Sequence, residues 1–169
     1  MDPVKKKERY GRLYRQLEVL LTATPDPGAR MATIAAVLHH KMEYFFWTGF
    51  YLLKNSELVV GPYQGPLACL ILEKNRGVCW TGINSRQTVV VPNVHEFPGH
   101  IACDTRAESE IVVPVFDPSG TVIGVMDVDS STQRSFDETD AEWLEKIVSL
   151  IFQTETRIPG DPANTDRLW

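Results

Sequence analysis

The sequence predicts an α+β domain: an antiparallel sheet with the terminal helices packed on one face and a ligand pocket on the other. Two pairs of strand-like segments are joined by short polar turns, which makes the strands of each pair antiparallel. Helical patterns stand at the two ends of the chain, so these helices can pack together on one face of the sheet. A polar segment of eighteen residues, 92–109, is long for a connection in a compact domain and is expected to roof the open face.

Each predicted helix has an apolar stripe or a defined boundary. Residues 5–23 carry apolar side chains at spacings of three and four, and a proline-rich turn ends this helix. Asp26 is placed to cap a second helix that begins at Pro27. Residues 77–85 predict one short helix, and Asp137 is expected to open the last helix.

Short runs of aromatic and β-branched residues predict the strands. These runs cover residues 45–53, 58–62, 88–91, 111–116 and 121–129. The polar residues between the first two runs, and between the last two, are typical of hairpin turns. The apolar run 67–72 is either a buried strand or the start of a short helix.

Length and charge restrict the class of protein. The chain has 169 residues, 43% hydrophobic and 23% charged, and we assign residues 1–154 to one domain and residues 155–169 to a C-terminal tail. Without a membrane span of roughly 18 apolar residues or a signal peptide, we expect a cytoplasmic protein. The net charge of −5 argues against nucleic-acid binding. The six basic side chains within residues 5–15 are expected to form a solvated helix face.

The three cysteines, Cys69, Cys79 and Cys103, are an odd number and include no CxxC pair. They therefore predict neither a disulfide framework nor a structural zinc site. Inert core thiols and a thiol-based chemistry both stay open. Cys69 lies in an apolar run, which is typical of a core residue, whereas Cys79 lies near a predicted helix start, where a thiol pKa can be lowered.

The polar loop brings five chemically active side chains together: His95, Glu96, His100, Cys103 and Asp104. A solvated loop, a metal site and a reactive thiol are three open interpretations. The spacing of His95, His100 and Cys103 matches no common zinc pattern, so we expect no metal. A reactive Cys103 would need a nearby cation or a helix N-terminus to ionise at neutral pH.

Three acidic and two aromatic residues stand out on the predicted strands. Asp127 and Asp129 lie two apart and point to the same face, and Glu110 can join them from the neighbouring strand. Such a group forms either the anionic floor of a pocket or an exposed edge face. Trp47 and Tyr51 also share one face, where they either pack in the core or form an aromatic wall for a small apolar group.

Six segments together resemble the free methionine-(R)-sulfoxide reductases, small enzymes built on a single GAF domain. They are WTGFYLL (47–53), GPYQGPLAC (61–69), RGVC (76–79), VPNVHEFPGHIACD (91–104), SEIVVPV (109–115) and GVMDVDS (124–130). The resemblance implies a GAF-like fold over residues 5–154 and the reduction of free L-methionine (R)-sulfoxide to methionine. Because most GAF domains are ligand sensors, a non-catalytic module that senses a small ligand or the redox state is the alternative.

The resemblance also implies roles for the cysteines. Cys103 is similar to the catalytic thiol and Cys69 to the thiol that converts its sulfenic acid into an intramolecular disulfide. Cys79 is similar to the third family cysteine, a secondary recycling thiol, although Trp80 beside it replaces a small residue. For the disulfide we expect Cα atoms about 4.4–6.8 Å apart. Thioredoxin or a similar dithiol would reduce it, and no cofactor is needed.

The remaining site residues are implied to surround the substrate. Glu110 and Asp129 are similar to carboxyls that assist reduction, and Asp127 to one that holds the substrate ammonium. Trp47 and Tyr51 are similar to the aromatics that pack the substrate methyl group. A homodimer through the terminal helices is a further expectation, because the apolar stripe of the first helix includes two tyrosines.

Overall fold

Six strands form one antiparallel sheet in the computed structural model, which describes residues 2–100 and 103–153. The strands are β1 (Trp47–Lys54), β2 (Glu57–Gln64), β3 (Ile71–Leu72), β4 (Val89–Val91), β5 (Ser109–Phe116) and β6 (Val122–Ser130). Their order across the sheet is β3-β2-β1-β6-β5-β4, and each neighbouring pair is antiparallel. The predicted α+β class and both predicted hairpins are confirmed.

Four α-helices accompany the sheet. They are α1 (Pro3–Leu20), α2 (Pro27–Lys41), α3 (Gly77–Ser85) and α4 (Glu138–Ser149). The predicted caps are present, since the Asp26 and Asp137 side chains accept hydrogen bonds from backbone N–H groups in the first turns of α2 and α4. No helix among residues 2–100 and 103–153 is long and apolar enough to cross a membrane.

The two faces of the sheet carry separate apolar cores. Helices α1, α2 and α4 cover one face, where Phe50 and Met126 are fully buried beneath them. On the opposite face α3 packs over a second cluster that includes Val112 and Val125. The predicted placement of the terminal helices is confirmed, and the face that they leave free is shared between α3 and the loops.

The prediction for one apolar segment needs correction, and the prediction for the C-terminal tail falls outside the described residues. The run 67–72 is not a buried strand, because only Ile71–Leu72 joins the sheet, as an edge strand, and Leu67 and Leu70 are 86% and 73% exposed. An edge strand has a partner on one side alone, so its neighbours in sequence can stay in solvent. The predicted tail, residues 155–169, lies outside the described residues.

The apolar stripe of α1 is used within the chain. Tyr10 is fully buried and stacks on Trp143 of α4, with ring centroids 6.3 Å apart, and Tyr14 meets the same ring edge-on at 6.1 Å. Tyr10 is therefore closed to a second copy, whereas Tyr14 is half-buried, and the expected homodimer stays a prediction.

The basic segment at the N-terminus is not uniformly solvated, contrary to expectation. Lys6 is 3% exposed, and its Nζ lies 2.9 Å from Asp137 Oδ2 and 2.5 Å from Asp140 Oδ2. Asp140, which is fully buried, also accepts hydrogen bonds from the hydroxyls of Tyr10 and Tyr44. A buried carboxylate needs such partners to offset its lost hydration, so this network connects α1 to the start of α4.

We expect Lys6→Met to lower the free energy of unfolding by about 3 kcal/mol, because it leaves Asp140 buried without its cationic partner. The next residue, Lys7, is exposed and supplies a matched control on the same helix. Lys7→Met should change the stability by less than about 0.5 kcal/mol. Chemical denaturation of both variants measures the difference, and equal effects would show that the buried pair contributes nothing of its own.

Candidate active site

Strand register gathers the three acidic residues on the sheet face that the terminal helices leave free. Asp129 of β6 lies opposite both Trp47 of β1 and Glu110 of β5. Asp127 lies opposite Gly49 and, on the other side, Val112. Because residues two apart on a strand share a face, Glu110, Asp127 and Asp129 form one floor, as their spacing predicts.

Aromatic rings make the wall beside this floor. The Trp47 ring stacks on Tyr51 at a centroid distance of 5.8 Å and on Tyr63 at 5.4 Å. Gly49 lies between Trp47 and Tyr51 along β1. A Cβ at this position would collide with Tyr63 and the Trp47 ring, so only glycine allows this packing. Sequence reasoning missed Tyr63, although its pairing with Gly49 across the first hairpin puts it on the same face.

A disulfide between Cys69 and Cys103 stands over the floor, with Cα atoms 5.5 Å apart. This value confirms the predicted separation. Cys69 lies two residues before the start of β3, and its carbonyl oxygen accepts a hydrogen bond of 3.1 Å from the Tyr51 hydroxyl. Cys103 belongs to the long loop that leads into β5. The bridge therefore joins two loops that are 34 residues apart in sequence.

One cavity connects the bridge, the acids and the aromatic wall. Its lining includes Trp47, Tyr51, Cys79, His100, Cys103, Glu110, Asp127 and Asp129. The eight residues predicted for the site are the same ones, except that they include Cys69 and not His100. All eight therefore line this cavity or lie beside it. The geometry brings them together, and the role of each is a separate question.

Burial determines the charge of the three acids. It raises the pKa of Glu110 and Asp129 well above the ordinary values, and repulsion by Asp127 adds to this increase for both. Burial also raises the pKa of Asp127, to about 6, although hydrogen bonds with Cys79 and Glu110 oppose that shift. Burial and repulsion by Asp127 therefore favour the protonated forms of Glu110 and Asp129, and Asp127 is the acid of the floor that ionises most readily.

His100 lies against Glu110, with its Nε2 atom 3.7 Å from Glu110 Oε2. Burial, and then repulsion by His95, lowers the pKa of His100, so a neutral imidazole faces the protonated acid. The other candidate cations of the loop are already paired, His95 with Glu108 at 3.4 Å and Arg106 with Asp104 at 2.7 Å. The sequence identified His100 but not its partner, because loop contacts leave no periodic pattern.

Cys79 departs from its predicted chemistry. It lies in the first turn of α3, yet burial and then Asp127 and Glu110 raise the pKa of its thiol well above the ordinary value. The possibility of a lowered pKa near the helix start is therefore wrong. Desolvation outweighs the helix terminus because the thiol is fully enclosed above two acidic groups.

A thiol and two carboxyls also form the one group of donors, among residues 2–100 and 103–153, that lie near enough to share an ion. The atoms of Cys79, Glu110 and Asp127 are within 4.8 Å of one another. Metal ligation would require them to lose their protons. Since the pKa values of Cys79 and Glu110 are raised, the cluster favours hydrogen bonding over metal binding at neutral pH.

Comparison with known proteins relates this arrangement to others. A family model described as "GAF domain" matches residues 28–153. GAF domain-containing protein A of Dictyostelium discoideum is 46% identical, over 86% of this chain and 92% of its own. The free methionine-R-sulfoxide reductase of Escherichia coli (strain K12) is 37% identical, over 86% of this chain and 88% of its own. An X-ray structure of the Neisseria meningitidis free methionine-R-sulfoxide reductase with its substrate superposes with a TM-score of 0.80 and 42% identity, covering 85% of this chain and 86% of that one.

The burial of the three thiols predicts their order of reactivity. In the bridged form Cys103 is exposed and Cys69 partly exposed, whereas Cys79 is enclosed and the pKa of its thiol is raised. After reduction of the bridge, we expect iodoacetamide at pH 7.5 to alkylate Cys103 and Cys69 in the native protein and Cys79 only after unfolding. Peptide mass spectrometry measures the three rates. Alkylation of native Cys79 as fast as that of Cys69 would contradict this order.

Proposed function

The chain belongs to the GAF-domain family and, within it, to the free methionine-R-sulfoxide reductases, and we propose that it reduces free L-methionine (R)-sulfoxide to methionine with Cys103 as the attacking thiol. This membership confirms the family and the GAF fold that the sequence motifs predict, and it favours an enzyme over a ligand or redox sensor. The observation that carries the assignment of residues is the Cys69–Cys103 bridge above a floor of buried carboxyls.

Substrate binding follows from the charges of the floor. Asp127, with a pKa of about 6, is the acid that is ionised at neutral pH and can pair with the ammonium of a free amino acid. The stacked rings of Trp47 and Tyr51 offer a wall against which a methyl group can pack. These contacts would hold the sulfoxide between the aromatic wall and the loop that carries Cys103.

The first chemical step transfers oxygen between two sulfur atoms. The Cys103 sulfur attacks the sulfoxide sulfur while Glu110, protonated because its pKa is raised, donates a proton to the oxygen. Asp129, opposite Glu110 in the sheet and also with a raised pKa, can replace that proton. The sulfoxide gains two electrons and leaves as methionine, and Cys103 loses two electrons and becomes a sulfenic acid.

The second step restores the thiol. The Cys69 sulfur attacks the Cys103 sulfenic acid, water leaves, and the disulfide forms at the Cα separation observed. An external dithiol such as thioredoxin then reduces the bridge, and no metal or organic cofactor takes part. We place the protein in the cytoplasm, because this cycle needs a compartment that keeps such dithiols reduced.

We expect single-turnover assays to separate the roles of the cysteines. Cys103→Ser should form no methionine, because a hydroxyl is a poor nucleophile beside a thiolate. Cys69→Ser should form about one methionine per enzyme and then stop, because one sulfenic acid per molecule cannot be resolved. The measurement is methionine released from the free sulfoxide, with and without a thioredoxin system.

Cys79→Ser is the matched control, since it removes a buried thiol outside the bridge. It should retain repeated turnover with thioredoxin. Repeated turnover of Cys69→Ser would instead assign the resolving role to Cys79. Single turnover by Cys103→Ser would refute the proposed nucleophile.

Asp127 should distinguish free from acylated substrate. We expect the wild type to prefer the free sulfoxide over N-acetyl-methionine sulfoxide by about a hundredfold in kcat/KM, because acylation removes the ammonium and leaves the buried carboxylate unpaired. Asp127→Asn should narrow this preference by reducing kcat/KM mainly for the free amino acid. Steady-state rates for both substrates and both proteins give the comparison.

Asp117→Asn, a change in the exposed turn between β5 and β6, is the control and should leave the preference unchanged. In the wild type kcat/KM for the free substrate should also fall as the pH drops through about 6, where Asp127 takes up its proton. Equal losses on both substrates in Asp127→Asn would show that Asp127 does not bind the ammonium.

A further inference from the structure

We propose that three apolar side chains around Cys69, those of Leu67, Leu70 and Ile71, form the docking surface for the dithiol protein that reduces the Cys69–Cys103 bridge. We refer to these three as the cysteine-loop face. The proposal rests on the proposed function, since that function requires the bridge to be reduced in every cycle. It adds where the reductant binds and which sulfur it attacks.

The cysteine-loop face is unusually exposed for its composition. Leu67 is 86% exposed, Leu70 73% and Ile71 54%, and the two leucines are the most exposed large apolar side chains among the described residues. Such side chains are usually scattered singly, so their grouping within five residues indicates a surface that a partner covers. The three residues flank, along the chain, a cysteine of the only disulfide in the described part of the protein.

The face is held in place by the sheet. Val60 donates a backbone hydrogen bond of 3.0 Å to the Leu70 carbonyl, and Ile71 pairs with Val59 in the adjacent strand. The Tyr51 hydroxyl donates to the Cys69 carbonyl from the other side. Because these bonds position the backbone before any partner arrives, binding would order few additional side chains.

Its surroundings have the anatomy of a protein interface. The segment that follows β3 is polar and exposed, and there Arg76 and Glu73 form an ion pair of 2.6 Å. An apolar centre with a polar rim is typical of such interfaces. Moreover β3 is the edge of the sheet, so one side of its backbone has no neighbouring strand among the residues that the structure describes. The partner that fits is a protein whose reactive dithiol lies within an apolar surface.

The reaction on this face can be written completely. A thiolate of the partner attacks Cys69 Sγ, the bridge breaks, and Cys103 leaves as a thiolate. The second thiol of the partner then attacks the mixed disulfide, which releases the Cys69 thiol and the oxidised partner, so two electrons pass to the bridge. Attack at Cys69 is favoured because it makes Cys103 the leaving group. Cys103 acts as a thiolate in catalysis, and such a sulfur leaves a disulfide more readily.

The test compares a protein reductant with a small one on the oxidised protein, without methionine sulfoxide. The variant is Leu70→Ser/Ile71→Thr; Leu67 is kept because it borders the cavity. Reduced thioredoxin should open the bridge of this variant about tenfold more slowly than that of the wild type, since apolar contact area is lost. Dithiothreitol, which needs no docking surface, should reduce both equally. Timed alkylation with mass spectrometry measures both rates.

Val4→Ser/Val19→Ser is the matched control, because both valines are exposed apolar residues on α1, away from the bridge. It should react like the wild type with both reductants. An unchanged rate of the Leu70→Ser/Ile71→Thr variant with thioredoxin would overturn the proposal, and so would an equal loss with dithiothreitol. A thioredoxin variant without its second cysteine should be trapped on Cys69, and trapping on Cys103 would overturn the assigned sulfur.

These outcomes do not depend on the proposed function. Failure of the wild type to form methionine with dithiothreitol would refute the reductase assignment, whereas the rates of bridge opening would still be measured. Conversely, the Leu70→Ser/Ile71→Thr variant could form methionine with both reductants while thioredoxin reduces its bridge at the wild-type rate. That result would refute the docking surface and leave the reductase assignment intact.

Discussion

The burial of Glu110 and Asp127, with the half-buried Asp129 beside them on one face of the sheet, is the constraint on which the site depends. Burial and mutual repulsion raise the pKa of Glu110 and Asp129 well above the ordinary values, whereas Asp127, whose pKa is about 6, is the acid that loses its proton most readily. A proton donor and an anion thus arise from similar side chains. The surrounding elements, α3 above and the aromatic wall beside, maintain the exclusion of water that this division requires.

The two bridged cysteines differ from the acids in the kind of element that carries them. The acids stand on long central strands, where hydrogen-bonded neighbours determine their positions, whereas Cys69 and Cys103 lie on segments outside those strands. Cys103 must meet a substrate and then Cys69, and Cys69 must meet Cys103 and then a reductant, and these successive contacts need freedom that a central strand does not allow. The fold therefore combines a rigid floor with cysteines carried on connecting loops.

Patterns that depend on local geometry predicted the structure well. The short helix at residues 77–85, both hairpins and the shared face of Asp127 and Asp129 all follow from periodicity, capping or turn chemistry. The family motifs supplied what these patterns could not, namely the pairing of two cysteines 34 residues apart.

The predictions that were wrong concern burial that is decided by distant parts of the chain. Lys6 is enclosed because α4 presents two aspartates to it more than 130 residues later. The pKa of Cys79 is raised because burial removes its thiol from water and because strands β5 and β6 place carboxyls beneath it. Conversely, the run 67–72 looks like a core segment and is exposed because its strand is the sheet edge. No window of sequence contains these neighbours.

The double pairing of Asp129 restricts how the family can vary in length. Since Asp129 faces Trp47 on one side and Glu110 on the other, inserting or deleting one residue before it in β6 would turn every acid of that strand toward the core beneath α1, α2 and α4. Insertions are tolerable in the turn at residues 118–120, where the chain is exposed. Divergence in this architecture is therefore expected to accumulate as loop-length changes around strands of constant length.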